Sequence, residues 1–217
     1  MDKEDKLAEY TWSFSSLKQY TNCPKQYYEI RVLKNYTVKE NEAMMYGKEV
    51  HTALENYVRD GVELAKNYQR FKSMVDALIN IIGKKICEHE MALTYNKEPC
   101  EFHDENRWVR GIADLVIIDG ADAYVVDYKT GSNKYPDPKQ LKLMAIMMFT
   151  HFPEVQKIKA GLLFVMKNSF LTEEYHRKDM DKLWKSFEQP LKRLETSYDT
   201  DEWKANPTPL CGWCSVD

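Results

Sequence analysis

Apolar positions in the first part of the chain recur at the three- and four-residue spacing of amphipathic helices. The pattern predicts four helices, two short and two long, at residues 13–20, 25–34, 47–67 and 71–88. Ser15 or Ser16 is the predicted N-cap of the first helix, because a hydroxyl there can accept a hydrogen bond from a free backbone N–H. The sequence Asn22-Cys23-Pro24 ends that helix, since the residue before a proline avoids the helical conformation.

Beyond about residue 90 the apolar period shortens to two, which is typical of strands. Five strands are predicted, at about residues 91–95, 109–118, 123–129, 158–166 and 170–177. Two further helices are predicted over residues 139–151 and 179–197. This order of elements indicates an α/β fold with a central mixed β-sheet flanked by helices, an N-terminal helical region and a cysteine-containing C-terminal tail.

The segment Gly111–Lys129 contains the most informative polar residues. Apolar runs on both sides of the turn Asp119-Gly120-Ala121-Asp122 predict a β-hairpin. If the residues that flank this turn pair with each other, Asp114 lies directly opposite Asp127, with Cβ atoms about 4.5–5.5 Å apart. Lys129 is two residues past Asp127 and therefore points to the same face of the sheet.

Two carboxylates that face each other between apolar strands destabilise a fold. A hard divalent cation between them would compensate, and Lys129 could stabilise developing negative charge or orient a water nucleophile. Metal-assisted phosphodiester hydrolysis requires these groups. The alternative is an ordinary ion pair between Asp114 and Lys129, with Asp127 ending a strand. A one-residue slip in register would also separate the two carboxylates.

Other polar positions could complete such a site. His51 falls on the buried stripe of the predicted helix 47–67, either as a metal ligand or as a core histidine. Glu88 and Glu90 precede the first predicted strand. Glu90 could support the metal ligands, although a solvated helix end explains both residues equally well. Gln140 opens the helix 139–151 and could contact the metal-bound water or the substrate backbone, or could simply face solvent.

Composition limits the class of protein. A length of 217 residues fits one compact domain. The net charge is −3, so any groove that binds nucleic acid by positive charge must be local. No apolar run reaches the roughly 18 residues of a membrane-spanning helix, and the charged N-terminus lacks the apolar stretch of a signal peptide. We therefore expect a cytoplasmic location, in a bacterial, archaeal or phage-infected cell. The five cysteines then favour metal or cluster ligation over disulfides.

These residues resemble the PD-(D/E)xK nuclease superfamily. The motifs that match are Gly111-x-x-Asp114, Asp127-Tyr128-Lys129 and the trailing Gln140. The sequence is similar to the RecB-type branch, which includes CRISPR-associated spacer-acquisition exonucleases and AddB-type repair nucleases. Three more segments match that branch. Gly47-x-x-x-His51 matches its helix histidine, Ser13–Pro24 matches its N-terminal signature, and Cys211-Gly-Trp-Cys214 matches its C-terminal signature.

The resemblance implies a restriction-endonuclease-like core in a single nuclease domain over residues 1–217. Its implied parts are an N-terminal helical region with Cys23 (13–45), helices (47–88), the catalytic sheet core (89–178) and a C-terminal helix with the cysteine tail (179–217).

The resemblance also implies a role for each residue of the site. His51, Asp114 and Asp127 would bind Mg²⁺ or Mn²⁺ together with the backbone carbonyl of Tyr128. Lys129 would be the catalytic lysine. Gln140 would begin the Q-x-x-x-Y motif of the family. Position 144 is Met where the family usually has Tyr, so the chain departs from the family at one contact to DNA or water.

In the cluster-bearing members of this branch, one N-terminal and three C-terminal cysteines bind a [4Fe–4S] cluster. Cys23, Cys211 and Cys214 match three of these four positions. The three could hold a cluster with an external fourth ligand, bind zinc, or bind nothing. Cys87 and Cys100 lie far along the chain from the matched positions.

The implied function is a metal-dependent DNA nuclease, an exonuclease that acts on DNA ends or single strands in recombination, repair or phage DNA metabolism. The alternative is a non-cleaving DNA-end-binding or accessory subunit of a repair or spacer-acquisition complex. Expected partners are DNA and a helicase, integrase or recombination protein. No association with a membrane is expected.

Basic and aromatic residues near the N-terminus could grip single-stranded DNA or merely cover the core. They are Lys18, Tyr20, Lys25, Tyr27, Tyr28, Arg31 and Lys34.

Overall fold

A six-stranded mixed β-sheet organises the part of the chain that the computed structural model describes, residues 10–37, 40–134 and 136–216. The strands are β1 (Lys84–Thr94), β2 (Pro99–Cys100), β3 (Arg107–Asp119), β4 (Asp122–Lys129), β5 (Lys157–Phe164) and β6 (Ser169–His176). The α-helices within these residues are α1 (Phe14–Asn22), α2 (Pro24–Tyr27), α3 (Glu42–Asp60), α4 (Lys72–Ile79), α5 (Lys139–His151) and α6 (Met180–Thr200).

The order of strands in the sheet is β2-β1-β3-β4-β5-β6. Neighbouring strands pair antiparallel except β4 and β5, which are parallel. Helix α5 lies between these two strands in sequence and supplies the crossover connection that a parallel pair requires. The predicted α/β fold, a central mixed sheet flanked by helices, is confirmed.

Helices cover both faces of the sheet and form two separate cores. The first core includes buried residues of α1, α5 and α6, and the second includes those of α3 and α4. Strand β4 contributes Ala123 and Val125 to the first core, and Val126 and Tyr128 to the second. Because both faces of β4 are buried, its sequence is a nearly continuous apolar run, as expected for a central strand.

The helix predicted over residues 47–67 has different bounds. It begins at Glu42, where Asn41 accepts a hydrogen bond from the backbone N–H of Met44, and it ends at Asp60. Gly61 takes the left-handed conformation, with φ of 68°, and caps the last turn. A glycine at this position ends a helix because no other residue adopts the left-handed conformation as easily.

The prediction of a helix over residues 71–88 was wrong in its second half. Helix α4 ends at Ile79, and β1 begins at Lys84. Gly83 marks the change, with φ of 134° and no room for a Cβ, which would lie 2.6 Å from the backbone oxygen of Ile118. The apolar residues of this segment fit either period, and pairing of β1 with β3 selects the strand.

The predicted N-cap of the first helix was also wrong. Helix α1 begins at Phe14, and its N-cap is Ser13. The Ser13 hydroxyl accepts a hydrogen bond from the Ser16 backbone N–H at 3.3 Å, and the Ser16 hydroxyl accepts one from the Ser13 backbone N–H at 2.8 Å. This reciprocal arrangement satisfies two backbone donors at the helix start. The predicted second helix is α2 followed by a π-helical segment, Tyr28–Val32.

From residue 107 onward, the predicted helices and strands agree with the observed ones to within three residues at each end. Helix α5 has the predicted bounds, Lys139–His151. Within the described ranges, no helix is both long and apolar enough to span a membrane.

Candidate active site where two strands separate

The predicted hairpin register is observed, with Ile118 opposite Ala123. The pairing of β3 with β4 extends to Leu115 but does not include Asp114. At that point the backbone N–H of Tyr128 donates a hydrogen bond to Oδ2 of Asp114 at 2.5 Å. The Asp114 carboxylate is therefore held where the two strands separate, and the residue is buried, with 8% of its surface exposed.

Asp127 on β4 is the second buried carboxylate of the site, with 6% exposure. Nζ of Lys129 lies 2.6 Å from its Oδ2, and the side chain of Gln140 on α5 donates a hydrogen bond to its Oδ1. Burial, and then the charge of Asp114, raise the pKa of Asp127, and together they outweigh the charge of Lys129. The two neighbours of Asp127 are the lysine and the glutamine that the sequence predicted for this site.

Helix α3 brings His51 to the carboxylate of Asp114. Its Nδ1 lies 3.4 Å from Oδ1 of Asp114, and its ring meets that of Tyr128 edge-on at a centroid distance of 5.9 Å. The buried side chains Val50 and Leu54 fix α3 in the second core on either side of His51. Burial lowers the pKa of His51, but the hydrogen bond to Asp114 and the nearby carboxylate charges outweigh burial and raise it.

Glu88 is a site residue that the sequence pattern missed. It lies in β1 opposite Asp114, because the residues on both sides of it pair with those on both sides of Asp114. Its backbone is left-handed, with φ of 48°, a conformation that costs a non-glycine residue about 1–3 kcal/mol. One ligand atom from each of His51, Glu88 and Asp114 lies within 4.8 Å of the other two.

The position of Glu88 follows from a register that the helical period hides. When Glu88 is assigned to the end of a helix, the pairing of β1 with β3 is not recognised. That pairing is antiparallel, like the pairing of β3 with β4, and it places Glu88 opposite Asp114 in the same way that the hairpin relates Asp114 to Asp127. Burial, followed by the charges of Asp114 and Glu55, raises the pKa of Glu88 to about 7. Glu90, the residue predicted instead, is exposed on β1.

The donor set suits a hard divalent cation. Mg²⁺ and Mn²⁺ accept carboxylate oxygens, and Mn²⁺ also accepts an imidazole nitrogen. Among the described residues, the cluster of His51, Glu88 and Asp114 is the one in which three or more potential ligands converge. Oδ2 of Asp127 is buried and accepts no hydrogen bond of regular geometry, although Lys129 is close. Burial first, and then the neighbouring negative charge of Asp114, raise the pKa of Glu88 and of Asp127, and a bound cation would relieve both effects.

Gly111 and Met144 form part of the wall beside Lys129. A Cβ on Gly111 would lie 3.1 Å from Sδ of Met147 and 3.4 Å from Cε of Met144, so α5 packs closely against β3. Met144 is buried in the first core. Its thioether offers no strong hydrogen bond at the position where the family usually has Tyr.

Of the cysteines that match cluster ligands, Cys23 lies between α1 and α2, and Cys211 and Cys214 lie on the C-terminal tail. Asn206 donates its backbone N–H to Sγ of Cys23 at 3.5 Å, and Gln26 donates to Sγ of Cys214 at 3.3 Å. Cys211 accepts the backbone N–H of a neighbouring threonine at 3.2 Å. Within the described part of the chain no converging group of three ligands contains a cysteine, so the cluster stays a prediction.

Comparisons with known proteins bear on the family and the fold of the chain. A family model of the PD-(D/E)XK nuclease superfamily matches residues 11–217. Among solved structures, a candidate exonuclease from Eubacterium rectale has a TM-score of 0.55 and 12% identity over 97% of this chain and 89% of that chain. SSO0001, also 12% identical, has a TM-score of 0.46 over 98% of this chain and 89% of its own. No curated protein matches the sequence.

These findings bear on fold and family to different extents. At 12% identity, the likeness to the Eubacterium rectale protein concerns the fold alone, a restriction-endonuclease-like mixed sheet with flanking helices. The lower TM-score of SSO0001 supports no conclusion. The family match, in contrast, includes α1, the helix of His51, the hairpin of Asp114 and Asp127, and the C-terminal tail. The chain therefore belongs to the PD-(D/E)XK nuclease superfamily.

Proposed function

We propose that this protein is a divalent-metal-dependent deoxyribonuclease that hydrolyses phosphodiester bonds. The observation that carries the proposal is the convergence of His51, Glu88 and Asp114 within 4.8 Å, beside the ion pair of Asp127 with Lys129. Membership of a nuclease superfamily supports the same chemistry. The proposed metal ligands are His51, Asp114, Asp127 and the backbone carbonyl of Tyr128, with Glu88 as an additional ligand.

Each side chain of the site has a distinct proposed task. Bound Mg²⁺ or Mn²⁺ would polarise the scissile phosphate and lower the pKa of a coordinated water. The N–H of Tyr128 holds Asp114, and the amide of Gln140 orients Asp127. Lys129 is the proposed catalytic lysine, since its ammonium group lies next to Asp127 and could stabilise negative charge on the phosphate oxygens.

We further propose that the substrate is a DNA end or a single strand, so that the enzyme is an exonuclease in recombination, repair or phage DNA metabolism. The name of the Eubacterium rectale neighbour, a candidate exonuclease, supports this narrower role. A RecB-type origin, a cytoplasmic location and a helicase or integrase partner belong to the same proposal. The RecB-type origin and the partner rest on the helix histidine and on the N- and C-terminal signatures.

The direct test is incubation of end-labelled single- and double-stranded DNA with Mn²⁺, Mg²⁺ or EDTA. We expect cleavage with metal and none with EDTA, and early release of labelled mononucleotides or short products would indicate an exonuclease. Asp114→Asn and Lys129→Met should each lower the rate by about a hundredfold or more. The matched control Glu90→Gln changes an exposed carboxylate on β1 and should keep the wild-type rate.

Two outcomes would contradict the proposal. One is retained cleavage by both pure variants, with thermal melts showing that they are folded. The other is a wild-type protein that binds DNA ends but never cuts them with either metal, which would indicate a non-cleaving end-binding subunit.

A further inference from the structure

Among the described residues, every charged side chain that lines two adjoining grooves beside the candidate active site is basic. The first, of about 500 Å³, is lined by Lys18, Arg110 and Lys129 among other residues. The second, of about 470 Å³, is lined by Arg31, Lys34 and Arg110. Because the grooves share Arg110, they form one continuous surface, which we call the basic track.

The charge of the basic track contrasts with that of the whole chain, which is −3. Its described lining contains five basic side chains and no acidic one. Lys18 and Lys129 form ion pairs with aspartates that lie outside the lining. The other three cations have no carboxylate within salt-bridge distance among the described residues. Positive charge that is not neutralised in this way attracts an anionic partner.

Arg110 lies at the junction of the two grooves and is well positioned for a phosphate. Its backbone N–H donates to the carbonyl of Trp12 at 3.0 Å, and its guanidinium lies 5.3 Å from the ring centroid of Phe102. A guanidinium held in this way presents a planar fork that matches phosphate oxygens. The first turn of α1 also lines the track and has no acidic residue, so the partial positive charge of the helix N-terminus adds to the attraction.

The groove on the other side of the candidate metal site has a different character. It is lined by the carboxylates Glu55 and Glu88, a single lysine, Lys48, and the apolar side chains Met44 and Met166. With two carboxylates and one lysine in its described lining, this groove offers a phosphodiester backbone no excess of positive charge. The charge asymmetry therefore favours a strand that lies on the α1 side of the site.

We infer that the basic track binds the backbone of single-stranded DNA that leads into the active site, an inference that rests on the proposed function. Each groove falls within the roughly 300–1,000 Å³ of sites that hold one small molecule, which fits a nucleotide better than a duplex. Phe14, which is partly exposed, lines the first groove and offers a ring on which a base could stack.

The test measures DNA binding in EDTA, where no cleavage occurs. Fluorescence anisotropy of a labelled oligothymidine and of a hairpin duplex would be recorded at several salt concentrations for the full chain. Arg110→Ala and the double variant Arg31→Ala/Lys34→Ala should each weaken single-strand binding about tenfold. The slope of log affinity against log salt should decrease by about 0.7 for each phosphate that the variant no longer neutralises.

Matched controls are Lys157→Ala and Lys182→Ala, which remove lysines paired with aspartates outside the basic track. Both should bind within twofold of wild type. Unchanged affinity and slope for the two track variants, with wild-type melting temperatures, would overturn the inference. An equal weakening of duplex and single-strand binding would also overturn it, by indicating a duplex surface.

This design separates the inference from the proposed function. A protein that binds single strands through Arg110 but never cuts DNA supports the track and contradicts the nuclease proposal. If the wild-type protein cuts DNA and Arg110→Ala binds and cuts it equally well, the nuclease proposal is supported and the basic track is contradicted.

Discussion

At the scale of single residues, the candidate site lowers the stability of the metal-free protein. Glu88 has a strained backbone, and burial followed by nearby carboxylates raises its pKa from 4.5 to about 7. An acid whose pKa is higher in the folded state destabilises the fold once it ionises. The raised pKa of His51 acts in the same direction, because its stabilising contribution is lost as pH rises through that pKa. Metal-free protein should therefore lose stability as pH rises from about 4.5 to about 7.

We predict that Glu88→Gln stabilises the metal-free protein at pH 8 and has a smaller effect at pH 5. The expected gain in unfolding free energy is about 1 kcal/mol, since Glu88 is only partly buried and solvent screens its charge. Urea unfolding in EDTA at both pH values measures it. Glu90→Gln, the exposed control on β1, should change the unfolding free energy by less than about 0.5 kcal/mol.

The same variant should respond less to metal. Because Glu88→Gln removes a proposed ligand, the rise in melting temperature on adding Mn²⁺ should be smaller than in wild type. Destabilisation by Glu88→Gln in EDTA at pH 8 would contradict the electrostatic explanation. An unchanged response to Mn²⁺ would show that Glu88 is not a ligand.

At the scale of elements, contacts between strands determine structural features that a local sequence pattern does not specify. The edge strand β6 covers a glycine of its neighbour β5. A Cβ built on Gly161 would lie 2.2 Å from the ring of Phe170. The phenyl ring therefore occupies the space that a side chain at position 161 would take, and it covers the face of β5 at Gly161.

We predict that Gly161→Ala lowers the unfolding free energy by roughly 1–3 kcal/mol, because the Phe170 ring must move. In a Phe170→Ala background the same change should cost little or stabilise the strand, since the clash is gone. A double-mutant cycle by urea unfolding measures the coupling. Gly131→Ala, which meets no atom within 4 Å, is the control. Equal costs in both backgrounds would exclude the ring as the cause.

At the scale of the whole molecule, Trp203 holds the C-terminal tail against the N-terminal helical region. Its ring stacks on those of Tyr28 and Tyr27 at centroid distances of 4.7 and 5.9 Å, and it meets Tyr198 of α6 edge-on at 5.0 Å. These contacts join α2, α6 and the tail. They do not involve α3 or β4, which hold residues of the candidate metal site.

We predict that Trp203→Ala lowers the unfolding free energy by about 1–3 kcal/mol and speeds proteolysis of the tail. Stabilisation by Mn²⁺ should remain as in wild type, because the proposed ligands pack elsewhere. Limited proteolysis and thermal melts with and without Mn²⁺ measure both effects. Trp213→Ala removes a side chain that is 85% exposed and should be nearly neutral. Loss of the Mn²⁺ response in Trp203→Ala would contradict this separation.

Features that depend on short spacing along the chain follow from the amino-acid sequence alone. It predicted the bounds of α5 and the register of the β3–β4 hairpin, because a tight turn fixes which residues face each other. The motif residues Asp114, Asp127 and Lys129 indicated the family, which the family match confirmed. Their catalytic roles remain predictions.

Contacts between segments that are distant in the chain are specified by the packing of the folded protein. Glu88 joins the site because β1 pairs with β3, a long-range contact that the ambiguous apolar period before it does not specify. The basic track forms because α1 and its flanking residues lie against Arg110 on β3, almost a hundred positions later in the chain. Local propensity cannot specify such contacts, since they depend on how whole elements bury their apolar faces together.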